Sequence, residues 1–214
     1  MVEHPDDDSA PLTAADSLRL IQQQRDVTER SLSPDARLLY WPWGIAWFVG
    51  FGLLFLRHGP NGRVYWDIPG WIPLTTLFVL MAVAFVISGV TGARAGRAVS
   101  GDSSIKGLMY GNAWFMGFAS VGVILGKLSP LLPEAERGLI WAATSVGLVA
   151  VMYMAGAAIW RIWDQFFIGV AIGVSNIAGV LVGPGWHSLI TSLVTGLGAL
   201  IVAPALVFRA GRVS

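Results

Sequence analysis

The sequence contains no cysteine, which excludes disulfides, thiolate nucleophiles and cysteine-held metal sites. Charge is nearly as scarce. Asp, Glu, Lys and Arg make up 13% of the 214 residues, against roughly 25% in a soluble domain. The distribution is more telling than the amount. Residues 1–38 carry 12 of the 27 charged side chains, leaving 15 for the remaining 176 positions. A surface so thinly charged cannot face water, so a soluble globular domain is excluded. The same apolar excess excludes disorder of the whole chain. A net charge of +1 supplies no field for polyanions, so no nucleic-acid partner is expected.

What is present is long apolar runs. Residues 39–56, 72–91, 107–126, 138–160, 165–183 and 188–208 contain no Asp, Glu, Lys or Arg. Their lengths, 18 to 23 residues, match the roughly 20 needed to cross a bilayer. Lipid offers no partner to backbone groups, so spans must be helices or closed barrels. The runs lack the alternating polarity of a barrel. The expected fold is all-α: a polytopic integral membrane protein with six transmembrane helices in 39–208. Before it come an acidic, disordered head (1–12) and a cytoplasmic N-terminal helix within 13–38. A tail, 209–214, follows. The polar N-terminus is no cleavable signal peptide, so the first span is expected to serve as an uncleaved insertion signal.

Two helix starts stand before the membrane region. Thr13-Ala-Ala-Asp16 has the capping-box form, with Asp for Glu. Ser33-Pro34-Asp35 combines a cap, a proline at the first helical position and an acid at the positive end of the dipole. The helix from residue 13 to 31 either lies solvated near the membrane or docks a cytoplasmic protein partner.

Basic residues set the orientation. With the N-terminus cytoplasmic, the inner side holds ten (Arg19, Arg25, Arg30, Arg37, Arg94, Arg97, Lys106, Arg161, Arg209, Arg212) and the outer side four (Arg57, Arg63, Lys127, Arg137). Both termini are therefore expected in the cytoplasm, at a cell inner membrane. Arginine outnumbers lysine 12 to 2, a bias associated with GC-rich bacterial genomes. Eight of the ten tryptophans fall near the two interfaces; Trp47 and Trp114 sit deeper. Those two lie in matching segments, Ala46-Trp-Phe-Val-Gly-Phe51 and Ala113-Trp-Phe-Met-Gly-Phe118, with a fainter echo at Gln165-Phe-Phe-Ile-Gly-Val170. Either the matches are fortuitous in a Trp- and Phe-rich chain, or the six spans are three parallel hairpins of the kind repeated in transporters.

Chemistry has few places to sit. Intramembrane ionisable groups mark proton and ion paths, and the spans have none, so no carboxylate-coupled ion transport is expected. Asn112 and Asn176 are the candidate intramembrane polar contacts: either glue between helices or groups that touch a solute. Arg94 and Arg97, after the second span, are candidate contacts to anionic lipid. Arg161 and Asp164, three apart in the short link Trp160-Arg-Ile-Trp-Asp164, can pair on a helical turn and are candidate lipid or partner contacts. His58, Asp67 and His187 are expected in outer loops, too scattered for a metal site. Ser175 with His187 is the nearest approach to an intramembrane protease pair. It lacks the glycine that should follow the serine, and its two residues are expected at opposite depths. Pro42 and Pro204 lie inside the first and last spans and remove a helix hydrogen bond each. No cofactor, metal or catalytic residue is expected. The composition points to a non-catalytic accessory or regulatory membrane component that acts with a partner protein. A small transporter for a neutral or lipophilic solute is the alternative.

Overall fold

A computed structural model describes residues 13–32, 36–97 and 102–204. The chain forms two units, residues 1–33 and 34–214. The expected head (1–12), the Ser33-Pro34-Asp35 start and the tail (209–214) lie outside the described residues.

The first unit contributes one helix, α1 (Ala14–Leu32). It starts where the capping box places it. The Thr13 hydroxyl accepts the Asp16 N–H at 3.2 Å and donates to the Asp16 carboxylate at 2.6 Å. Asp16 thus closes the box onto the hydroxyl, since its side chain is one methylene shorter than Glu.

The second unit consists of helices joined by turns and short links, with no strand among its described residues. It comprises α2 (Ala36–Arg57), α3 (Trp71–Arg97), α4 (Asp102–Leu128), α5 (Glu134–Trp160), α6 (Trp163–Val182) and α7 (Pro184–Ile190). After α7 the chain winds through a π-helical segment, Thr191–Leu197, and continues helically to residue 204. Six stretches are long and apolar enough to cross a membrane: Arg37–Arg57, Trp71–Arg94, Ser104–Leu131, Glu136–Trp160, Trp163–Val182 and Pro184–Pro204. Several helices outrun their apolar windows. Arg94 and Arg97 ride on the last turns of α3 rather than in a loop. The sixth stretch starts four residues earlier than its apolar run, because Pro184 occupies the first helical turn and fixes φ for it.

The core joins α2, α3, α5 and α6 through Ala46, Trp47, Phe51, Leu77, Val146, Val149, Ala150 and Ile172. Two antiparallel pairs, α2 with α3 and α5 with α6, pack most extensively, and α2 also lies along the π segment. Close approach depends on glycine. A Cβ on Gly50 would fall 2.5 Å from Leu77 of α3, and one on Gly196 would fall 2.4 Å from the Phe48 backbone nitrogen. The repeated segments are equivalent in this respect. Gly50 opposes Leu77 on the next helix, and Gly117, its match in α4, opposes Leu148 on the next helix. The third segment departs from the pattern. Gly169 presses on Ala150 and Met154 of the preceding helix.

Candidate functional site: a buried polar seam

The unusual feature inside this apolar unit is a seam of uncharged polar side chains where α7 and the π segment meet α2, α5 and α6. His187, Thr191, Ser192 and Thr195 are all buried, His187 to 1% exposure. The local sequence explains how the histidine gets there. Gly183, at φ 100°, ends α6 in a conformation that favours glycine. Pro184 then restarts the helix, which turns His187 inward. Gly179 makes the room, since a Cβ there would fall 2.8 Å from the imidazole Cδ2. Gly185, on the same turn, lies against the Gly59–Pro60 backbone, where a Cβ would come within 2.3 Å.

Asn176 is the hub. Its Nδ2 donates to the Ala143 carbonyl of α5 at 3.0 Å, and its Oδ1 is 2.8 Å from His187 Nε2. Because the amide nitrogen is committed to a carbonyl, the oxygen faces the imidazole, and Nε2 is therefore the protonated nitrogen and the donor. One amide thus ties α5, α6 and α7 together. Ser192 Oγ donates to the Phe48 carbonyl of α2 at 2.8 Å, and Phe51 meets the imidazole edge-on at 6.5 Å. Two polar atoms of this region, Trp47 Nε1 and Thr195 Oγ1, are buried with no hydrogen-bond partner among the described residues. A π-helical stretch interrupts the i to i−4 ladder and is often found at functional sites.

His187 was expected in an outer loop, at a different depth from residues 175–176, and the structure corrects both points. The pairing is nonetheless not that of a hydrolase. The His187 hydrogen bond goes to Asn176, while Ser175 Oγ donates to its own helix at Ile172 O, 2.9 Å away.

The other candidate residues lie apart from the seam. Asn112 is exposed on α4 and donates to the Leu108 carbonyl one turn back, at 3.0 Å. Arg161 has φ 56° and ends α5, its N–H bonded to Ala157 O. It is therefore not helical, and the pairing with Asp164 on one helical turn does not apply; Asp164 sits in the first turn of α6. Arg94 is exposed near the end of α3, and the Arg97 side chain lies outside the described residues. His58 is exposed in the turn after α2, with its pKa lowered by partial desolvation and by neighbouring Arg57. Arg57 also approaches Asp67, at 3.8 Å. No three His, Asp or Glu side chains converge among the described residues.

Sequence reasoning missed Ser192 and Thr195, and placed His187 outside. The available signal was Gly183-Pro184, a glycine that ends one helix and a proline that opens the next. No protein-family model, curated protein or solved structure matches the chain.

Proposed function

We propose that the chain is a non-catalytic multi-pass membrane protein, an accessory or regulatory component that assembles with a partner in the bilayer. One observation carries this reading: the open glycine face of α4. Gly107, Gly111, Gly122 and Gly126 have nothing within 4 Å of the position a Cβ would take. Helical spacing puts them on one side with Asn112, which is also exposed. Elsewhere in this unit glycines let helices meet, as Gly50 and Gly196 do. In lipid, close backbone approach and side-chain amides are what hold helices together. A face with both, and with no neighbour against its glycines among the described residues, suits a helix from another protein. α1, the separate first unit, supplies a second contact, with a cytoplasmic partner. Both termini are assigned to the cytoplasm from the loop arginines.

The test is affinity purification from the native membrane with three chains: wild type, G111I/G122I, and a deletion of residues 1–31. A Cβ at 111 or 122 has open space around it among the described residues, so that variant is expected to fold, which circular dichroism of the purified chain checks. The expected result is loss of a co-purifying membrane protein from G111I/G122I and of a cytoplasmic one from the deletion. Retention of every partner by both variants refutes the assembly reading.

A neutral-solute transporter is the second reading, favoured by the unpaired Trp47 Nε1 and Thr195 Oγ1 beside the π segment. It requires that Thr195→Val, which removes an unpaired hydroxyl and keeps the shape of the side chain, lower solute flux in reconstituted vesicles without changing the amount of folded protein.

A further inference from the structure

We infer that the seam binds one internal water molecule between α2 and the π segment, held by Trp47 Nε1 and Thr195 Oγ1, independent of the assembly proposed above. Both side chains are more than nine-tenths buried, Trp47 to 6% exposure and Thr195 to 9%. Neither polar atom has a hydrogen-bond partner among the described residues. An indole N–H can only donate, whereas a hydroxyl donates and accepts. Burying such atoms without a partner is costly, and an internal water is the usual remedy.

The register of the two elements puts both residues at one depth. They run antiparallel: Phe51 meets His187, Phe48 meets Ser192 and Gly196, and Gly44 meets Leu200. Phe48 is bracketed. Ser192 Oγ donates to its carbonyl, and a Cβ on Gly196 would fall 2.4 Å from its nitrogen. Residue 194, midway between the two, is therefore level with Phe48, and Thr195 is level with Trp47. The π turn sets the direction as well. It takes about one residue more than an α turn, so an α turn followed by a π turn spends roughly eight residues. Thr195 is eight residues after His187 and returns to the same side of the helix. An unbroken α-helix would carry it about 80° away. His187 meets Phe51 on that side, and the Trp47 ring is 6.1 Å from Phe51.

The occupant follows from the chemistry. The apolar runs on both elements hold no Asp, Glu, Lys or Arg, so an ion would have no counter-charge there. The indole requires an acceptor atom. Where Gly196 meets Phe48 the two backbones are too close to admit a chain or a ring. Water is a neutral acceptor of the right size, and it can donate to the Thr195 oxygen while it accepts from the indole.

The test is NMR of the full chain in lipid nanodiscs with isotope-labelled tryptophan indoles. Trp47→Phe identifies the Trp47 resonance among the ten. In wild type its indole proton should show a cross-relaxation peak to water. Thr195→Val keeps the shape of the side chain and should weaken that peak several-fold, while Thr195→Ser should retain it. The thermal midpoint is a second readout with an opposite sign for the two cases. A hydroxyl satisfied by water is missed, so Thr195→Val should melt a few degrees lower. Removing an orphan hydroxyl would raise the midpoint instead. Absence of the water peak in folded wild type overturns the proposal, even if a variant fails to fold. So does a raised midpoint for Thr195→Val. A peak unchanged in Thr195→Val would mean that water reaches the indole without the hydroxyl, which overturns the two-point site.

Discussion

At the residue scale, Asn176 and His187 are worth more together than either is alone. Each buries polar atoms that the other, or Ala143 O, satisfies. Removing one partner leaves the other buried and unpaired, at a cost of about 1–3 kcal/mol. Asn176→Leu and His187→Leu should each lower the unfolding free energy in detergent by about that amount. The double variant should cost less than the sum, because no orphan group remains. Strict additivity would mean that the two side chains are not coupled. The seam also shows where a residue-by-residue reading of the sequence runs out. Asn176 was identifiable as a polar contact, to another helix or to a solute, because it is an amide near the middle of an apolar run. His187 was not, because Pro-Gly-Trp-His reads as a loop when its proline is taken as a turn residue. Burial of a histidine depends on Gly179, eight positions earlier and on another helix, and no local pattern encodes that contact.

At the scale of elements, glycines that look alike in the sequence take opposite roles. Gly196 lies in the π segment against α2, where a Cβ would meet the Phe48 backbone at 2.4 Å. Backbone cannot rotate away as a side chain can. Gly196→Ala should therefore destabilise by about 1–3 kcal/mol through overpacking. Gly122 sits in α4 with open space around it. Gly122→Ala should stabilise the isolated chain by roughly 0.5–1 kcal/mol, the usual gain of alanine over glycine in a helix. Thermal midpoints of the purified chain should move in opposite directions, and equal shifts would refute the packing account. GxxxG spacing was readable for both α4 pairs, Gly107/Gly111 and Gly122/Gly126, and for Gly169/Gly173 and Gly179/Gly183. Which pairs the chain fills was not, since that depends on helices distant in sequence. The apolar runs located all six long helices, because a hydrocarbon-length run is a property of composition alone. Their ends were less legible. Arg94, Arg97 and Asp102 are polar yet helical, since a helix needs apolar residues only where it lacks water.

At the scale of the whole molecule, the arrangement of charge makes one prediction that reaches every helix. Six crossings would return the chain to its starting side, with the links between helices alternating between the two faces. On that topology ten of the 14 basic residues fall on the N-terminal side, so the expected orientation has that side in the cytoplasm. The absence of cysteine makes the test clean, because any introduced thiol is the only one present. Arg63→Cys lies in the turn between α2 and α3, and Leu131→Cys between α4 and α5; both positions are exposed. A membrane-impermeant maleimide should label these two in intact cells. Ser104→Cys, at the start of α4, and Ile162→Cys, between α5 and α6, are also exposed and should label only after permeabilisation. The reverse pattern would invert the assignment, and labelling of all four in intact cells would refute six spans.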